Sequence, residues 1–256
     1  MAKTEYGLQM YSVRDITKDS MRMALEKVAA MGYHYVEFAG FFDYTAEQIK
    51  LWLDTFGLEC SGTHTGLGAL TPENIDATIA YHQAIGCKNL IVPGADWSTE
   101  EKMNENIAAL NAAQKKLAAA GIRLGYHNHS GEFFPSAYGK VIEEEVIKNT
   151  EIELEIDTFW AYNAKQNVVE LLERLKDRIT VVHLKDGTPA PNVENDQAHC
   201  HAGAVGLSVG SGTAPVCAVR EWANKNGVLM VVESEGLNPT GLEEVERCIT
   251  FLKTLD

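Results

Sequence analysis

Five times along the 256 residues, a helix-compatible stretch ends at a glycine and a β-branched or aromatic run begins within a residue or two. Gly32 precedes Tyr33 to Phe38, Gly57 precedes Leu58 to Thr63, and Gly86 precedes Cys87 to Val92. Gly121 precedes Ile122 to Tyr126, and Gly227 precedes Val228 to Val232. A glycine just past a helix takes the left-handed conformation that closes the last turn. A strand that follows at once is the short connection of parallel α/β folds. Three more runs, Tyr6–Tyr11, Glu151–Ile156 and Ile179–Leu184, read as strands without that glycine and bring the number to eight.

The segments between them read as helices. Ser20–Met31 sets Met21, Ala24, Leu25 and Val28 on one stripe of 3.6 periodicity. Thr71-Pro72-Glu73 reads as the start of the third helix, with Pro suited to its first position. Thr45-x-x-Gln48 and Ser98-x-x-Glu101 are capping-box patterns. Later helices are expected at about Ala137–Lys148, Gln166–Lys176, Ala214–Asn226 and Leu242–Leu255. Eight strands alternating with eight helices predict an α/β fold, a (β/α)8 TIM barrel forming a single domain over residues 1–256. An open doubly wound sheet is the rival, but the first strand–helix turn carries no G-x-G-x-x-G. The one long irregular stretch, Asp186–Gly212, follows the seventh strand and reads as a lid or binding loop.

Composition narrows the partners. With 22 Lys+Arg against 36 Asp+Glu the net charge is −14, which argues against nucleic acid as a partner. No apolar run approaches the ~20 residues of a membrane span, so no membrane partner is expected either. The start, Met1 to Tyr6, lacks the basic-then-apolar pattern of a signal peptide. Cys60, Cys87, Cys200, Cys217 and Cys248 are odd in number and form no C-x-x-C pair, which reads as free thiols in a reducing cytoplasm. A cytoplasmic protein acting on a small molecule is the expectation, and a homo-oligomer is compatible with it.

Active sites of such barrels lie at the C-terminal ends of the strands. Polar residues collect there: Gln9, Glu37, His64, His127, Asn128, His129, Asp157, His183, Lys185, Glu233 and Glu235. Each alone has a bland explanation as a solvated residue, but recurrence on six or more strands is harder to dismiss. In Glu151-Ile152-Glu153-Leu154-Glu155-Ile156-Asp157 acids alternate strictly with aliphatics. Period two sends Ile152, Leu154 and Ile156 toward the helices, and Glu153, Glu155 and Asp157 into the barrel. Buried carboxylates are costly unless paired or bound to a cation. Arg123 and Lys185 are candidate partners, but basic residues are scarce on the strands, so a metal is favoured. Asp157, His183 and Glu233 offer one imidazole and two carboxylates, suited to one divalent metal ion such as Mn2+, Co2+, Mg2+ or Zn2+. The fifth strand should add a ligand from His127, His129 or Glu132.

His127-Asn128-His129-Ser130-Gly131-Glu132-Phe133 resembles the H-N-H-x-x-E-F segment of the sugar phosphate isomerase/epimerase family with the xylose isomerase-like TIM barrel. Glu155 to Trp160 is similar to its E-x-D-x-x-W, His183 to Asp186 to its H-L-K-D, and Gly7 to Arg14 to its G-x-Q-x-Y-S-V-R opening. The resemblance runs through essentially the whole chain in order. It implies one divalent metal held from strands five to eight, with Asp157, His183 and Glu233 matching the ligands of the last three. Related enzymes usually present Glu on strand five where this chain has His127, which leaves the fourth ligand open between His127 and Glu132. The stretch His199-Cys200-His201 matches no motif of the family and reads as a mobile loop rather than a second metal site.

The implied chemistry begins with removal of a proton beside a carbonyl, giving an enediolate that a metal stabilises. Glu132, His127 and Lys185 are the candidate acid/base groups, and Lys185 is equally a candidate to neutralise the acids. Glu132, beside Phe133 and Phe134, is expected to have its pKa raised by desolvation. Gln9, Glu37, His64, His129, Trp160 and Glu235 are the candidate substrate contacts, with Trp160, Phe159 and Phe133 able to stack on a sugar or to pack in the core. Gly210-Ser211-Gly212-Thr213 precedes a helix and could cradle an anion, but no Arg cluster accompanies it, which favours an unphosphorylated sugar, cyclitol or keto-glycoside. Three functions follow. The first is a metal-dependent sugar isomerase or epimerase. The second is a lyase or dehydratase performing β-elimination on a 3-keto-glycoside or inosose-like ring. The third is a non-catalytic sugar-binding barrel, disfavoured because a binder needs no metal cage.

Overall fold

The computed structural model describes residues 4–191 and 200–256. Eight parallel strands close into a barrel: β1 (Gly7–Gln9), β2 (Tyr35–Phe38), β3 (Glu59–His64), β4 (Asn89–Val92), β5 (Arg123–His127), β6 (Glu153–Asp157), β7 (Ile179–Leu184) and, as the eighth, β10 (Leu229–Val232). β1 pairs with both β2 and β10, so the sheet has no free edge. The fold expected from the sequence is the one observed. All five helix-ending glycines, Gly32, Gly57, Gly86, Gly121 and Gly227, have positive φ, between 67° and 93°. Around the barrel run α1 (Arg14–Met31), α2 (Ala46–Phe56), α3 (Ile75–Ala84), α4 (Glu100–Ala119), α5 (Ile142–Asn149), α6 (Thr158–Asn163), α7 (Val168–Leu175), α8 (Val216–Asn226) and α9 (Gly241–Lys253). No described helix is long and apolar enough to cross a membrane.

Several boundaries differ from the sequence reading for local reasons. α1 begins at Arg14, and Ser20, with φ −157°, breaks it; Ser20 Oγ accepts from Met23 N and restarts the helix where the stripe begins. Thr71 to Asn74 form a turn, so α3 starts at Ile75 and not at Pro72. The Thr45–Gln48 capping box is present, but α4 is capped by Thr99, not Ser98. α5 starts late because Ser136 to Lys140 fold into a tight turn, Ser136 N donating to Lys140 O at 2.7 Å. The stretch expected to be irregular contains an antiparallel pair, β8 (Asp186–Thr188) with β9 (Val205–Leu207). His199 lies outside the described residues.

Strand faces divide as period two demands. Leu8, Val36, Phe38, Leu154, Ile156, Val182, Leu184 and Val232 are fully buried against the helices. Inside the barrel the upper layer is polar, and small residues make room for it. A Cβ at Gly62 would come 2.9 Å from Glu37 Oε2, and one at Gly125 would come 2.7 Å from Ile91 Cδ1. The β2–β3 and β6–β7 registers shift beside Glu37 and Glu155, the extra residues being Ser61 on β3 and Thr180 on β7, while both acids face inward by the plain alternation of their own strands.

A buried acid outside this layer stands without a partner. Glu143 on α5 is 1% exposed, and neither carboxylate oxygen has a partner. Burial, then the charges of Glu132 and Glu144, push its pKa up to about 8 from an ordinary 4.5. Across that window the native state holds a proton that the unfolded chain has released, so stability falls as pH rises from about 4.5 to about 8. Urea titrations should show Glu143→Gln flattening this slope and exceeding wild type at pH 8 by on the order of a few kcal/mol.

Candidate active site

Strand ends bring the ionisable groups together. His127 ends β5, Asp157 ends β6, His183 is the penultimate residue of β7, and Glu233 follows β10. Register sets Asp157 beside His183 and His127 beside Glu155. Two overlapping groups result among the described residues: His127, Asp157, His183 and Glu233, and His64, His127, Glu155 and His183. In each, one ligand atom per residue lies within 4.8 Å of all the others.

Glu155 is the hub of the lower group. Its Oε1 lies 2.7 Å from His64 Nε2, 3.1 Å from His127 Nδ1 and 3.1 Å from His183 Nε2. Glu37 Oε1 lies 2.8 Å from His183 Nε2 and accepts from Gln9 Nε2 at 2.7 Å. Burial would raise the Glu155 carboxyl, but the charges of His183 and His64 and the His127 hydrogen bond hold it well below its ordinary value. Glu37, opposed by burial and then by the charge of Glu155, is pushed up to about 7. Burial would lower His64 and His183, yet the surrounding carboxylates raise both. His183 faces a carboxylate on each ring nitrogen, Glu233 Oε2 at 3.3 Å from Nδ1, and satisfies both only as the imidazolium. His127, desolvated and with imidazoles for neighbours, falls to about 3 and stays neutral.

Asp157 has two tasks. Its Oδ1 caps α6 by accepting from Trp160 N at 2.9 Å, while Oδ2 is buried without a hydrogen-bond partner. Asn128 holds it in place, accepting from Asp157 N at 3.0 Å and donating to its carbonyl. Burial raises the Asp157 carboxyl to about 6 despite Lys185 Nζ, 3.6 Å from Oδ2. Lys185 also pairs with Glu233 at 3.2 Å and with Glu235. Burial would lower its pKa, but those acids outweigh it and keep the ammonium charged. Arg123, the other expected cation, donates instead to Asn89 Oδ1 at 2.8 Å.

A cavity of about 710 Å³ opens above the cluster, lined by Tyr11, His64, His127, His129, Trp160, His201, Glu233 and Glu235. Of the candidate substrate contacts, His64, His129, Trp160 and Glu235 line it, whereas Gln9 and Glu37 are fully buried beneath it. Phe159 is fully buried and Phe133 packs against the core, so Trp160 is the ring left facing the cavity. A smaller hollow of about 320 Å³ at the opposite mouth, lined by Lys50, Cys60 and Arg123, holds no such cluster.

Glu132 is not brought into either group of potential ligands. It accepts from His129 N and from Tyr126 Oη, each at 3.0 Å, and sits 3.8 Å from His129 Nδ1. Its pKa is lowered, contrary to the expectation, because the His129 contacts and then Tyr126 outweigh desolvation. Sequence reasoning missed Tyr126, which is buried and donates to Glu132, and His201, whose ring lies 4.6 Å from Trp160 in the cavity wall. Nothing in the stretch around His201 signalled that placement.

A closed parallel barrel with imidazoles and carboxylates converging under a cavity at its C-terminal mouth defines a class of TIM barrels built around a His/carboxylate centre. The chain belongs to the xylose isomerase-like TIM barrel family, whose model matches residues 25–255. It is 27% identical over 186 residues to the 2-oxo-tetronate isomerase of Haemophilus influenzae, spanning 62% of this chain and 71% of that one. It is 24% identical over 186 residues to the inosose dehydratase of Geobacillus kaustophilus, spanning 63% of this chain and 60% of that one. Among solved structures, a sugar phosphate isomerase/epimerase from Parabacteroides distasonis superposes with a TM-score of 0.76 at 25% identity, covering 99% of this chain and 94% of that one. Its relatives thus include isomerases and a dehydratase.

Removing the hub charge would leave three imidazoles facing a neutral group. In the presence of a chelator, Glu155→Gln is expected to lower the unfolding free energy by about 3–5 kcal/mol. Urea unfolding followed by circular dichroism measures it.

Proposed function

We propose that the chain is a divalent-metal-dependent sugar isomerase or epimerase, removing the proton alpha to the carbonyl of a ketose or keto-sugar. The convergence of His127, Asp157, His183 and Glu233 beneath the cavity carries this reading. The donor set fits a cation: Asp157 Oδ2 is buried with no hydrogen-bond partner, and His127 is neutral and able to donate a lone pair. Two imidazoles with two carboxylates suit Mn2+, Co2+, Mg2+ or Zn2+. When bound, the ion would supply Lewis-acid polarisation of the substrate carbonyl.

The chain's own groups divide the rest of the work. His129 faces the cavity with its Nδ1 3.8 Å from the Glu132 carboxylate, placed to take the α-proton. Loss of the α-proton leaves an enediolate. Proton return to the neighbouring carbon gives an isomer, and return to the opposite face gives an epimer. Lys185, held protonated among Glu233, Asp157 and Glu235, is suited to donate rather than accept. Trp160 offers an apolar wall for the sugar's C–H face.

Similarity to the inosose dehydratase favours a second reading, β-elimination from a keto-glycoside or inosose-like ring. It shares the first proton removal and differs in what leaves. NMR of protein incubated with a panel of ketoses and 3-keto-glycosides separates the two: epimer or isomer signals support the first, and an enone or released aglycone supports the second. A sugar-binding barrel without chemistry would gain nothing from a buried carboxylate oxygen that lacks a hydrogen bond, which costs stability.

Metal analysis of protein purified without chelator is expected to give about one divalent ion per chain, on the four-residue donor set above. Asp157→Asn and Glu233→Gln should keep the fold by circular dichroism but lose the ion and turnover. Activity within about tenfold of wild type, ~1.4 kcal/mol in barrier, would sink metal-assisted chemistry.

Glu132→Gln separates two roles for that acid. Acting behind His129, it should retain the metal yet slow exchange of the substrate α-proton with D2O by ~10²-fold or more. Full exchange with full metal occupancy would remove Glu132 from proton transfer, and loss of metal would make it a ligand.

A further inference from the structure

The cavity above the cluster adjoins a second, smaller one. Tyr11, Ala39 and Gly40 line the large cavity and also a hollow of about 240 Å³, whose other walls include Met10, Arg14, Met21 and Phe42. The hollow lies between the segments that leave β1 and β2. A Cβ at Gly40 would meet nothing within 4 Å, so the space beside this shared residue is open.

Tyr11 and Phe42 are the exposed aromatic side chains among the described residues, at 44% and 49%, and both line the hollow. Phe42 has φ 52°, a left-handed conformation that bulky side chains rarely take. Its neighbour Phe41 already serves the core, its ring 5.2 Å from that of Phe38 and 4.3 Å from that of Tyr81. Burial therefore does not account for Phe42. Tyr11 is held firmly. Arg14 lays its guanidinium over the Tyr11 ring, 4.4 Å from the centroid, and donates to Tyr11 O at 3.1 Å and Glu235 O at 3.0 Å. Glu235 lines the large cavity, so the same clamp fixes Tyr11 relative to both spaces. Met10 and Met21, both buried, add thioethers that make favourable contacts with aromatic rings. An apolar cavity of about 150 Å³ holds one benzene, so the hollow takes one six-membered aromatic ring with a substituent. Thioethers and aromatic faces match such a ring better than the hydroxyls of a second sugar.

We propose that the hollow is an aglycone subsite: the substrate is a glycoside whose sugar occupies the large cavity and whose aryl substituent lies between Tyr11 and Phe42. This rests on the keto-glycoside reading above, since a free ketose carries no group to fill the hollow. Aromatic character of the aglycone then becomes a determinant of specificity.

The subsite is tested first without turnover. In protein carrying methyl-13C methionine, with signals assigned by Met→Leu substitution, p-cresol is expected to shift the Met10 and Met21 methyls with a low-millimolar midpoint, as suits so small a fragment. Phe42→Gly removes the ring and relieves the left-handed backbone. It should unfold no lower than wild type and cut both shifts by at least about fivefold. Methyls unmoved by about 20 mM p-cresol, or moved equally in Phe42→Gly, overturn the proposal. A solution mass halved by Phe42→Gly, with methionines that ignore p-cresol, assigns the surface to a second copy of the chain and overturns it too. Specificity is then read from matched p-tolyl and methyl 3-keto-glycosides. A phenoxide leaves more readily than a methoxide in either protein, so the deciding quantity is the change in their kcat/KM ratio between wild type and Phe42→Gly. The ratio should fall by about tenfold, and an unchanged ratio overturns the proposal. The expected methionine shifts with no turnover of any keto-glycoside would overturn the lyase reading and leave the aryl site standing.

Discussion

Glu37, Glu155, Asp157 and Glu233 are all nearly or fully buried at one end of a closed barrel, where an isolated carboxylate is several kcal/mol out of balance. The solution is local and crowded. Imidazoles from β3, β5 and β7 surround Glu155, and Lys185 stands among the acids on the other side. Much else follows from fitting these large polar groups inside a narrow ring of strands. Gly62 and Gly125 leave room for the Glu37 carboxylate and the Ile91 side chain, which a Cβ there would displace, and the two register shifts are taken up on β3 and β7 without breaking the sheet. An apolar core of the same volume would be at least as stable. The polar layer is therefore better explained by chemistry than by folding.

Fold and site are joined through residues with two duties. Asp157 caps α6 with one oxygen and offers the other to the cluster, so the helix that carries Trp160 starts from a candidate ligand. Neutralising Asp157 would loosen the cap as well as the centre. On β7 the pattern of period two sends His183 and Lys185 to the centre and Leu184 to the helices. Asp186, the next residue, leaves the barrel and draws the following loop onto itself. Four consecutive residues thus serve the cluster, the core and the loop above it.

What depended on one strand's alternation or on a helix-ending glycine was legible beforehand. Alternation in Glu151 to Asp157 predicted the inward acids, and helix-ending glycines predicted the number and order of strands. What crossed between elements was not. Desolvation of Glu132 is outweighed chiefly by the His129 side chain and then by the Tyr126 hydroxyl, and no periodicity reports either. Ser20 interrupts α1 while its side chain recaps it, so the stripe showed only the second half. The three-residue strands β8 and β9 are too short to carry an alternation. Of the two basic partners weighed for strand six, Lys185 meets Asp157 whereas Arg123 donates to Asn89, and histidines from three other strands surround Glu155.

The cavity wall has its own anchor, in Asn163 at the end of α6, which is fully buried. Its Nδ2 donates to Ser130 Oγ and to Cys200 O, both at 2.8 Å, and its Oδ1 accepts from Ala190 N at 2.8 Å. Ser130 Oγ in turn donates to Trp160 O at 2.8 Å. One amide therefore ties the segment after β5, the helix after β6 and the loop after β7 into a single piece. A fully satisfied buried network is stiff, because losing any one bond strands a polar group away from water. His129, Trp160 and His201 are carried on the three segments so joined. Their mutual spacing is thus set from behind by Asn163, and a substrate would meet a preformed wall rather than three independent loops.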